Sequence, residues 1–163
     1  MHSSKLTIRA AQACDVPHIL AMIHEMAEFE HLTHLLNASE EQLKNDLFGP
    51  QPAAECAVAT VDAQPVGYAL FFHNYSTFLT RRGLYLEDLY VKANARSLGV
   101  GKALLKHLAK LACERQCARF EWSVLDWNKP AIEFYKSLGA QPQEEWVRYR
   151  MDGAVLRDFA EGN

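Results

Sequence analysis

The chain has 163 residues, with 17 Lys/Arg against 20 Asp/Glu, a formal net charge of −3. Its 49% hydrophobic and 23% charged residues are typical of a globular protein and exclude a disordered, collagen-like or coiled-coil chain, so we predict one compact domain over residues 1–163. Because a mildly acidic chain lacks the general attraction for phosphate backbones, we expect no nucleic acid and favour a cationic partner.

The first third of the chain predicts a strand followed by two helices. Residues 5–10 alternate as a strand does. Asp15 is placed to cap an amphipathic helix over residues 16–32, where apolar residues recur at helical spacing. Ser39 and the glutamine three residues later form a capping box for a second helix, residues 40–48.

The middle of the chain changes to strand periodicity. Residues 56–62 and 66–73 are rich in β-branched and aromatic side chains and flank a turn, which predicts a hairpin. Residues 74–83 are predicted to be a loop, and residues 84–91 the next strand.

The last part predicts a helix over residues 98–116, a strand over 119–125, a short helix over 129–139 and a final strand over 146–151. A strand, helix and strand in succession favour parallel pairing. The order β α α β β β α β α β therefore predicts an α/β fold with a mixed sheet flanked by helices.

Neither a membrane nor a metal is indicated. The longest apolar run, residues 66–72, is far shorter than the ~20 residues that span a bilayer, and the first ten residues contain no apolar signal region, so we expect a cytoplasmic protein. The four cysteines are expected to be reduced. Cys113 and Cys117 are four residues apart, with no His pair at a matching distance, so no metal is expected.

Residues 96–102, RSLGVGK, lie between a predicted strand and a predicted helix, where backbone N–H groups at the start of the helix can bind an anion. A Walker loop would need Gly at Arg96 and Ser or Thr at Ala103, and a dinucleotide fingerprint would need Gly or Ala at Leu104. Taken alone, the G-x-G pattern favours a simple glycine-rich turn that admits a helix.

The pattern R-x-x-G-x-G in this context resembles the acetyl-CoA pyrophosphate loop of the GNAT N-acetyltransferases. Residues 124–140, VLDWNKPAIEFYKSLGA, are similar to the second cofactor segment of that family, and the resemblance covers almost the whole chain. Within the family, AEFEHL, YLEDLYV, WNKPAIEFYKSLGA and EEWVRY are most similar to the spermidine/spermine (diamine) and thialysine acetyltransferases. The resemblance implies a single-domain GNAT fold with a mixed, mostly antiparallel sheet, and a homodimer.

The implied activity is transfer of acetyl from acetyl-CoA to a primary amine of a small polycationic acceptor, a polyamine, a diamine or a thialysine-like amino acid, by direct attack and without a metal. A peptide or protein-lysine acetyltransferase and a CoA-binding module without catalysis are the alternatives. The glycine loop would bind pyrophosphate, the strand before it would pair with pantetheine, and Asn128 would bond the cofactor. The cofactor-binding residues are expected to be Leu89, Tyr90, Val91, Arg96, Ser97, Leu98, Gly99, Val100, Gly101, Lys102, Asn128, Lys129, Pro130 and Ala131.

Two catalytic residues are expected, a base and an acid. Freeing an alkyl amine of its proton at pH 7 costs about 4–5 kcal/mol. Glu87 stands in an otherwise apolar strand, where burial would raise the pKa of a carboxylate into a useful range, and the resemblance implies that it accepts the proton through a water. The family keeps its general acid, which protonates the leaving thiolate, at the position of Tyr135. Glu87 could instead pair with a Lys or Arg, and Tyr135 could belong to a buried helix stripe.

The acceptor is assigned to acidic and aromatic side chains. Glu30 and Asp88 would hold a distal ammonium while Glu87 serves the reacting end, and Phe29 and Trp146 would flank the methylene chain. Glu87 and Asp88 can line one cleft only if their strand bulges. Glu30 could instead be a solvated helix residue, and the two aromatic side chains could be core. The polyamine enzymes carry Tyr at the position of Phe29, so a hydroxyl contact to a polyamine is missing here.

Overall fold

A computed structural model describes residues 4–162. Its five-stranded sheet follows the chain order: β1 (Leu6–Ala10), β2 (Glu55–Val61), β3 (Gln64–Ser76), β4 (Arg81–Val91) and β5 (Phe120–Trp122). The first four strands pair antiparallel, and β5 pairs parallel to β4. The predicted mixed, mostly antiparallel sheet is confirmed, as is the parallel strand, helix, strand unit.

The helices are α1 (Val16–Phe29), α2 (Glu40–Phe48), α3 (Val100–Glu114), α4 (Lys129–Ser137) and α5 (Gly153–Ala160). α2 has the predicted bounds, and Ser39 Oγ accepts the N–H of Gln42 at 3.1 Å. The Gln42 side chain donates instead to Asp46, so only half of the capping box forms. α1 ends three residues before the predicted position, because His31 takes a left-handed backbone with φ 59°.

Asp15 precedes α1 as predicted, but its side chain does not cap the helix. The carboxylate instead accepts a hydrogen bond from the N–H of Gln12 at 2.7 Å. It also accepts two hydrogen bonds from the Arg9 guanidinium, at 2.6 and 2.9 Å. Two nearby donors outside the helix, one of them charged, outcompete the amides of the first helical turn. Asp15 therefore ties β1 to the start of α1.

Helices cover both faces of the sheet. Tyr68 on β3 belongs to a core cluster with Ile19 and Met22 of α1. A side chain at the preceding residue, Gly67, would approach Val100 and Leu104 of α3, so α3 packs on the opposite face. A Cβ at Gly67 would also lie 2.8 Å from the Tyr90 carbonyl, which restricts the position to glycine.

The β3–β4 ladder contains a bulge. Leu70 lies opposite Asp88, but the next residue, Phe71, lies opposite Leu86, so Glu87 is an extra residue without an opposite partner. In a bulge, two successive residues share one partner and the strand bends. This is the irregularity that the two acids need to line one cleft.

Two predicted elements are wrong. Most of the predicted loop 74–83 is strand, since β3 extends to Ser76 and β4 begins at Arg81, leaving only residues 77–80 as the turn. The polar side chains of this segment lack the pattern that predicts a strand. The strands pair nevertheless, because backbone hydrogen bonds do not depend on those side chains. Residues 146–151 form no strand and are exposed, and the following helix α5 was not predicted. Val155, Leu156 and Phe159 carry the helical spacing that marks it.

The chain divides into two compact units, one ending at Ser123 and the other beginning at Val124. The first contains the sheet with α1 to α3, and the second contains α4 and α5. The single domain remains a prediction. All four cysteines are free thiols, as expected. No helix within residues 4–162 is long and apolar enough to cross a membrane.

Candidate active site

Two carboxylates of the first unit, those of Glu30 and Glu87, raise the pKa of a third, Asp88. Glu30 follows the last residue of α1, and Glu87 and Asp88 lie at the bulge of β4. Burial, as the largest cause, and then the negative charges of Glu87 and Glu30 together raise the pKa of Asp88 to about 6. Burial also raises the pKa of Glu30, which is therefore not a fully solvated helix residue. The structure thus brings together the three acids that the sequence singled out.

The expected burial of Glu87 is wrong: its side chain is exposed, and the more buried member of the pair is Asp88, which is half-buried. The bulge explains the difference, because the extra residue of a bulge leaves the regular alternation of the strand. Within residues 4–162, Glu87 forms no ion pair with a Lys or Arg, so the alternative of a paired strand carboxylate is not supported either.

Tyr68 is the site residue that sequence reasoning missed. Its side chain is fully buried, and its hydroxyl donates to Asp88 Oδ2 at 3.4 Å and lies 3.7 Å from the Met26 sulfur. The signal was available in the sequence: a tyrosine inside the apolar run 66–72 needs a polar partner for its hydroxyl.

Phe29 connects the end of α1 to the glycine loop. Its ring is 46% exposed, so it is not a core residue. The Arg96 guanidinium lies 5.1 Å from the centroid of that ring and 5.8 Å from that of Tyr90, within cation–π range. Arg96 Nε also donates to the Val91 carbonyl at 3.1 Å, so these contacts fix the first residue of the loop.

The loop that follows has the geometry of an anion site. Ser97 and Gly99 take left-handed backbones, with φ 76° and 77°, and Gly99 is the N-cap of α3 without any side-chain cap. The first N–H groups of α3 therefore remain for a ligand. A Cβ at Gly99 would meet nothing within 4 Å, and one at Gly101 would touch only Val91, so the approach is open. The donors present suit a pyrophosphate.

β4 has an open edge next to this loop. β5 pairs with β4 only from Leu84 to Leu86, so residues 87–91 have no strand partner on that side within the described part of the chain. Leu89, Tyr90 and Val91 pair with β3 on their other side. The open edge is the feature that an extended amide-bearing ligand needs in order to add to the sheet.

The second unit carries the remaining predicted residues. Asn128 Oδ1 accepts the N–H of Ala131 at 3.4 Å and caps α4, whose first turn contains Lys129 and Pro130. Tyr135 is half-buried on α4, with its ring 5.8 Å from that of Phe134. Trp146 is 75% exposed, so the alternative that it is core is wrong.

No group of three or more His, Cys, Asp or Glu side chains that could hold a metal occurs among the described residues. The features of the first unit define a class of protein: an enzyme with an anion loop and an open strand edge for an extended phosphate-bearing cosubstrate, and acids for a cationic one.

Comparison with known proteins names the family. Residues 20–140 match the acetyltransferase (GNAT) family, so the chain belongs to the GNAT acetyltransferases and is an N-acetyltransferase that uses acetyl-CoA. The thialysine N-epsilon-acetyltransferase of Mus musculus is 42% identical, with 94% of this chain and 96% of that protein covered. The L-ornithine N5-acetyltransferase of Arabidopsis thaliana is 33% identical, with 92% and 86% covered.

Solved structures agree on the fold. An integron cassette protein of V. cholerae superposes with a TM-score of 0.81 at 27% identity, covering 96% of this chain and 98% of that one. An aminoglycoside acetyltransferase from an uncultured soil metagenomic sample superposes with a TM-score of 0.74, covering 90% and 95%, and at 19% identity supports the fold alone.

Proposed function

We propose that this acetyltransferase acts on a primary amine of a small polycationic acceptor, a lysine-like amino acid or a diamine. The observation that carries the proposal is the cluster of Glu30, Glu87 and Asp88, three carboxyl groups close enough to shift the pKa of Asp88. Like charges are held together at a cost, and a bound polycation offsets that cost.

Acetyl-CoA supplies the acetyl group as a thioester. The N–H groups at the start of α3, with the loop from Arg96 to Lys102, would bind its pyrophosphate, and the open edge at residues 89–91 would pair with its amides. Asn128 Oδ1 already accepts a hydrogen bond as the cap of α4. We therefore assign the contact with the cofactor to the remaining donors and acceptors of the Asn128 side chain.

The acids divide between holding a charge and removing a proton. A carboxylate beside an ammonium stabilises the charged form and opposes its deprotonation, so one group cannot do both at the same nitrogen. We assign Glu30 and the half-buried Asp88 to the distal ammonium. Glu87, which is exposed and so accessible to water, would accept the proton of the reacting amine through a water.

Tyr135 would protonate the departing thiolate. A phenol of ordinary pKa is almost wholly protonated at pH 7 and can donate, although the transfer is uphill by about 2 kcal/mol. Tyr135→Phe is therefore expected to lower kcat more than it changes acetyl-CoA affinity, whereas an unchanged kcat would remove this role.

Two lines of support favour a lysine-like acceptor over a long polyamine. The 42% identical relative is named for thialysine and the 33% identical relative for ornithine, both amino acids with a side-chain amine. Phe29 provides a ring without a hydroxyl, and that ring contacts Arg96, the first residue of the loop that we assign to the cofactor. Trp146, exposed in its own unit, is assigned to the methylene chain of the acceptor.

A panel of acceptors tests the proposal. CoA release is measured with thialysine, ornithine, lysine, putrescine, spermidine, spermine and a lysine peptide, comparing kcat/KM. Preference for an amino acid or diamine supports the proposal. Preference for the peptide would make this a protein-lysine acetyltransferase, and acetyl-CoA binding without any turnover would leave a CoA-binding module.

We also propose a cytoplasmic homodimer, as the family resemblance implies. Free thiols at all four cysteines are consistent with a reducing compartment. Apolar side chains exposed in the second unit, including Val147 and Phe159, are consistent with a subunit contact. Light scattering that gives a monomer mass at micromolar concentration would contradict the dimer.

A further inference from the structure

The hydroxyl of Tyr68 serves no packing purpose, yet it lies in the core and bonds Asp88, a half-buried acid of the site. The side chain is fully buried, on the strand next to β4, and donates to Asp88 Oδ2. Burying a hydroxyl costs free energy unless it finds a partner, and phenylalanine would fill the same space without that cost. The hydrogen bond to the carboxylate is the part of this residue that packing does not explain.

The bond leaves half of the carboxylate for a ligand. Asp88 Oδ2 is engaged by Tyr68, and no described residue donates a hydrogen bond to Oδ1. A carboxylate with one oxygen held and one oxygen free presents a fixed acceptor to an incoming ammonium group, without the freedom of rotation that would otherwise be lost on binding.

Glu87 and Glu30 disfavour the negative charge of Asp88, whereas Tyr68 favours it. Glu87 on β4 and Glu30 after α1 are negative, and Cys56 on β2, whose pKa burial raises to about 12, is a neutral thiol that contributes no positive charge. Tyr68 on β3 lowers the pKa of Asp88 because its hydrogen bond favours the ionised form. Burial raises the pKa of Tyr68 itself far above its ordinary value, so the phenol stays protonated and remains a donor.

We propose that Tyr68 is a positioning residue for acceptor capture, which holds Asp88 through Oδ2 so that its carboxylate is ionised and oriented when the ammonium of the acceptor arrives. This inference rests on the proposed function, because it concerns the same acidic cluster. It adds a residue that touches neither substrate and acts only through Asp88.

The test compares Tyr68→Phe with Tyr85→Phe. Tyr85 lies on β4, and its hydroxyl bonds Ser123 Oγ at 2.7 Å, a neutral partner, so the control removes the same atom without touching a carboxylate. The ¹³C resonance of the Asp88 carboxyl, assigned with Asp88→Asn, is titrated in each protein. Tyr68→Phe is expected to move the midpoint to higher pH and Tyr85→Phe to leave it in place. An unchanged or lowered midpoint in Tyr68→Phe overturns the inference.

A second substitution works in the opposite direction and hardly disturbs packing. Replacing Tyr68 by 3-fluorotyrosine makes the phenol a stronger donor, so the Asp88 midpoint is expected to move to lower pH. This arm decides the matter if Tyr68→Phe does not fold, since a midpoint that stays in place with the fluorinated ring contradicts a hydrogen bond that controls the carboxyl.

Kinetics separate this inference from the proposed function. In Tyr68→Phe the acidic limb of kcat/KM for the acceptor is expected to shift to higher pH, with a loss of about threefold at pH 6 that disappears in alkaline buffer. A purely structural role would lower kcat/KM equally at every pH, and that result overturns the inference. If the wild-type protein acetylates no amine while the carboxyl titrations behave as expected, the proposed function fails and the hold of Tyr68 on Asp88 stands.

Discussion

At the carboxyl of Asp88, folding and binding make opposite demands. Burial lifts its pKa to about 6, from the 3.8 of a free aspartate. Between those two values the folded protein holds a proton that the unfolded chain releases, so the free energy of unfolding falls as pH rises through this window. Above this pH window, the ionised Asp88 side chain lowers the free energy of unfolding by about 3 kcal/mol at most.

Asp88→Asn should therefore stabilise the fold and impair binding. At pH 7.5 the amide removes a desolvated charge and the melting temperature is expected to rise, whereas at pH 4 the wild-type side chain is already neutral and the gain should largely vanish. Thermal melts at both values check this, with Asp158→Asn on the exposed face of α5 as the control. A gain of equal size at both pH values would contradict it. The KM of the cationic acceptor is expected to rise about tenfold or more.

Phe29→Leu tests the contact between α1 and the glycine loop. Leucine keeps apolar bulk but lacks the ring face, so Arg96 loses an interaction worth about 0.5–1 kcal/mol and the KM of acetyl-CoA is expected to rise about threefold. Phe29→Tyr keeps the ring and should leave this KM unchanged. A rise in the acceptor KM alone would mean that the ring serves the acceptor and not the loop.

Individual site residues were predictable by type but not by environment. The acids at positions 87 and 88 stand out in an apolar strand, yet which of them is buried depends on a bulge opposite Leu70 that strand alternation does not specify. For Tyr68 the sequence indicates that the hydroxyl needs a polar partner but not which one. That partner, Asp88, lies on the neighbouring strand, and pairing between strands is not encoded in the local sequence.

At the scale of the elements, a partly buried ion pair between Arg9 and Asp15 joins β1 to the start of α1. The Asp15 side chain is 5% exposed and that of Arg9 is 35% exposed, and the Arg9 hydrogen bond is the main cause that lowers the pKa of Asp15. A depressed carboxylate pKa stabilises the fold above the ordinary aspartate pKa, and this contribution is lost as pH falls toward the folded-state value.

Arg9→Met should destabilise the protein at neutral pH, because it leaves the Asp15 carboxylate buried without its charged partner. We expect a loss of about 2 kcal/mol in the free energy of unfolding, reduced from the value of a fully buried pair because Arg9 is partly exposed. Urea unfolding at pH 7 and pH 3 measures it, and the loss should shrink at pH 3. The double variant Arg9→Met, Asp15→Asn is expected to recover part of the loss; no recovery would mean that the pairing contributes little.

Prediction succeeded for helices in which one apolar face repeats along the sequence. It failed for a strand, because a strand depends on pairing with another segment of the chain. α2 follows from its Ser39 cap and α3 from apolar spacing, which buries Leu104 and Leu108 on one face. Residues 146–151 have the composition of a strand, but within residues 4–162 no strand pairs with them. A strand requires a partner, whereas a helix satisfies its own backbone, so the following residues Gly153–Ala160 form α5 without one.

At the scale of the whole molecule, the core belongs to one of the two units. Among the described residues, every buried hydrophobic residue lies between Val16 and Ala112 and so precedes Ser123, and α4 and α5 contain no buried residue. The first unit thus contains the apolar burial that stabilises a fold, together with the acids and the glycine loop, while the second contributes Tyr135.

A chain that ends at Ser123 is accordingly expected to fold. It should unfold cooperatively, retain the raised Asp88 titration and lack acetyl transfer, because Tyr135, the general acid that we propose, is missing. Circular dichroism melts and CoA release measure these properties, with Tyr135→Phe in the full chain as the comparison for activity. A truncated chain without a cooperative transition would show that burial in the first unit does not suffice.

The open edge of β4 beyond Leu86 has a further consequence for how the protein behaves when it is concentrated. Unpaired strand edges attract the edges of other chains and so promote aggregation. Here the bulge at Glu87 bends the edge, and two adjacent carboxylates repel the same segment of a second molecule. The amide-bearing cosubstrate that we propose for this edge would therefore also protect the protein from aggregation through it.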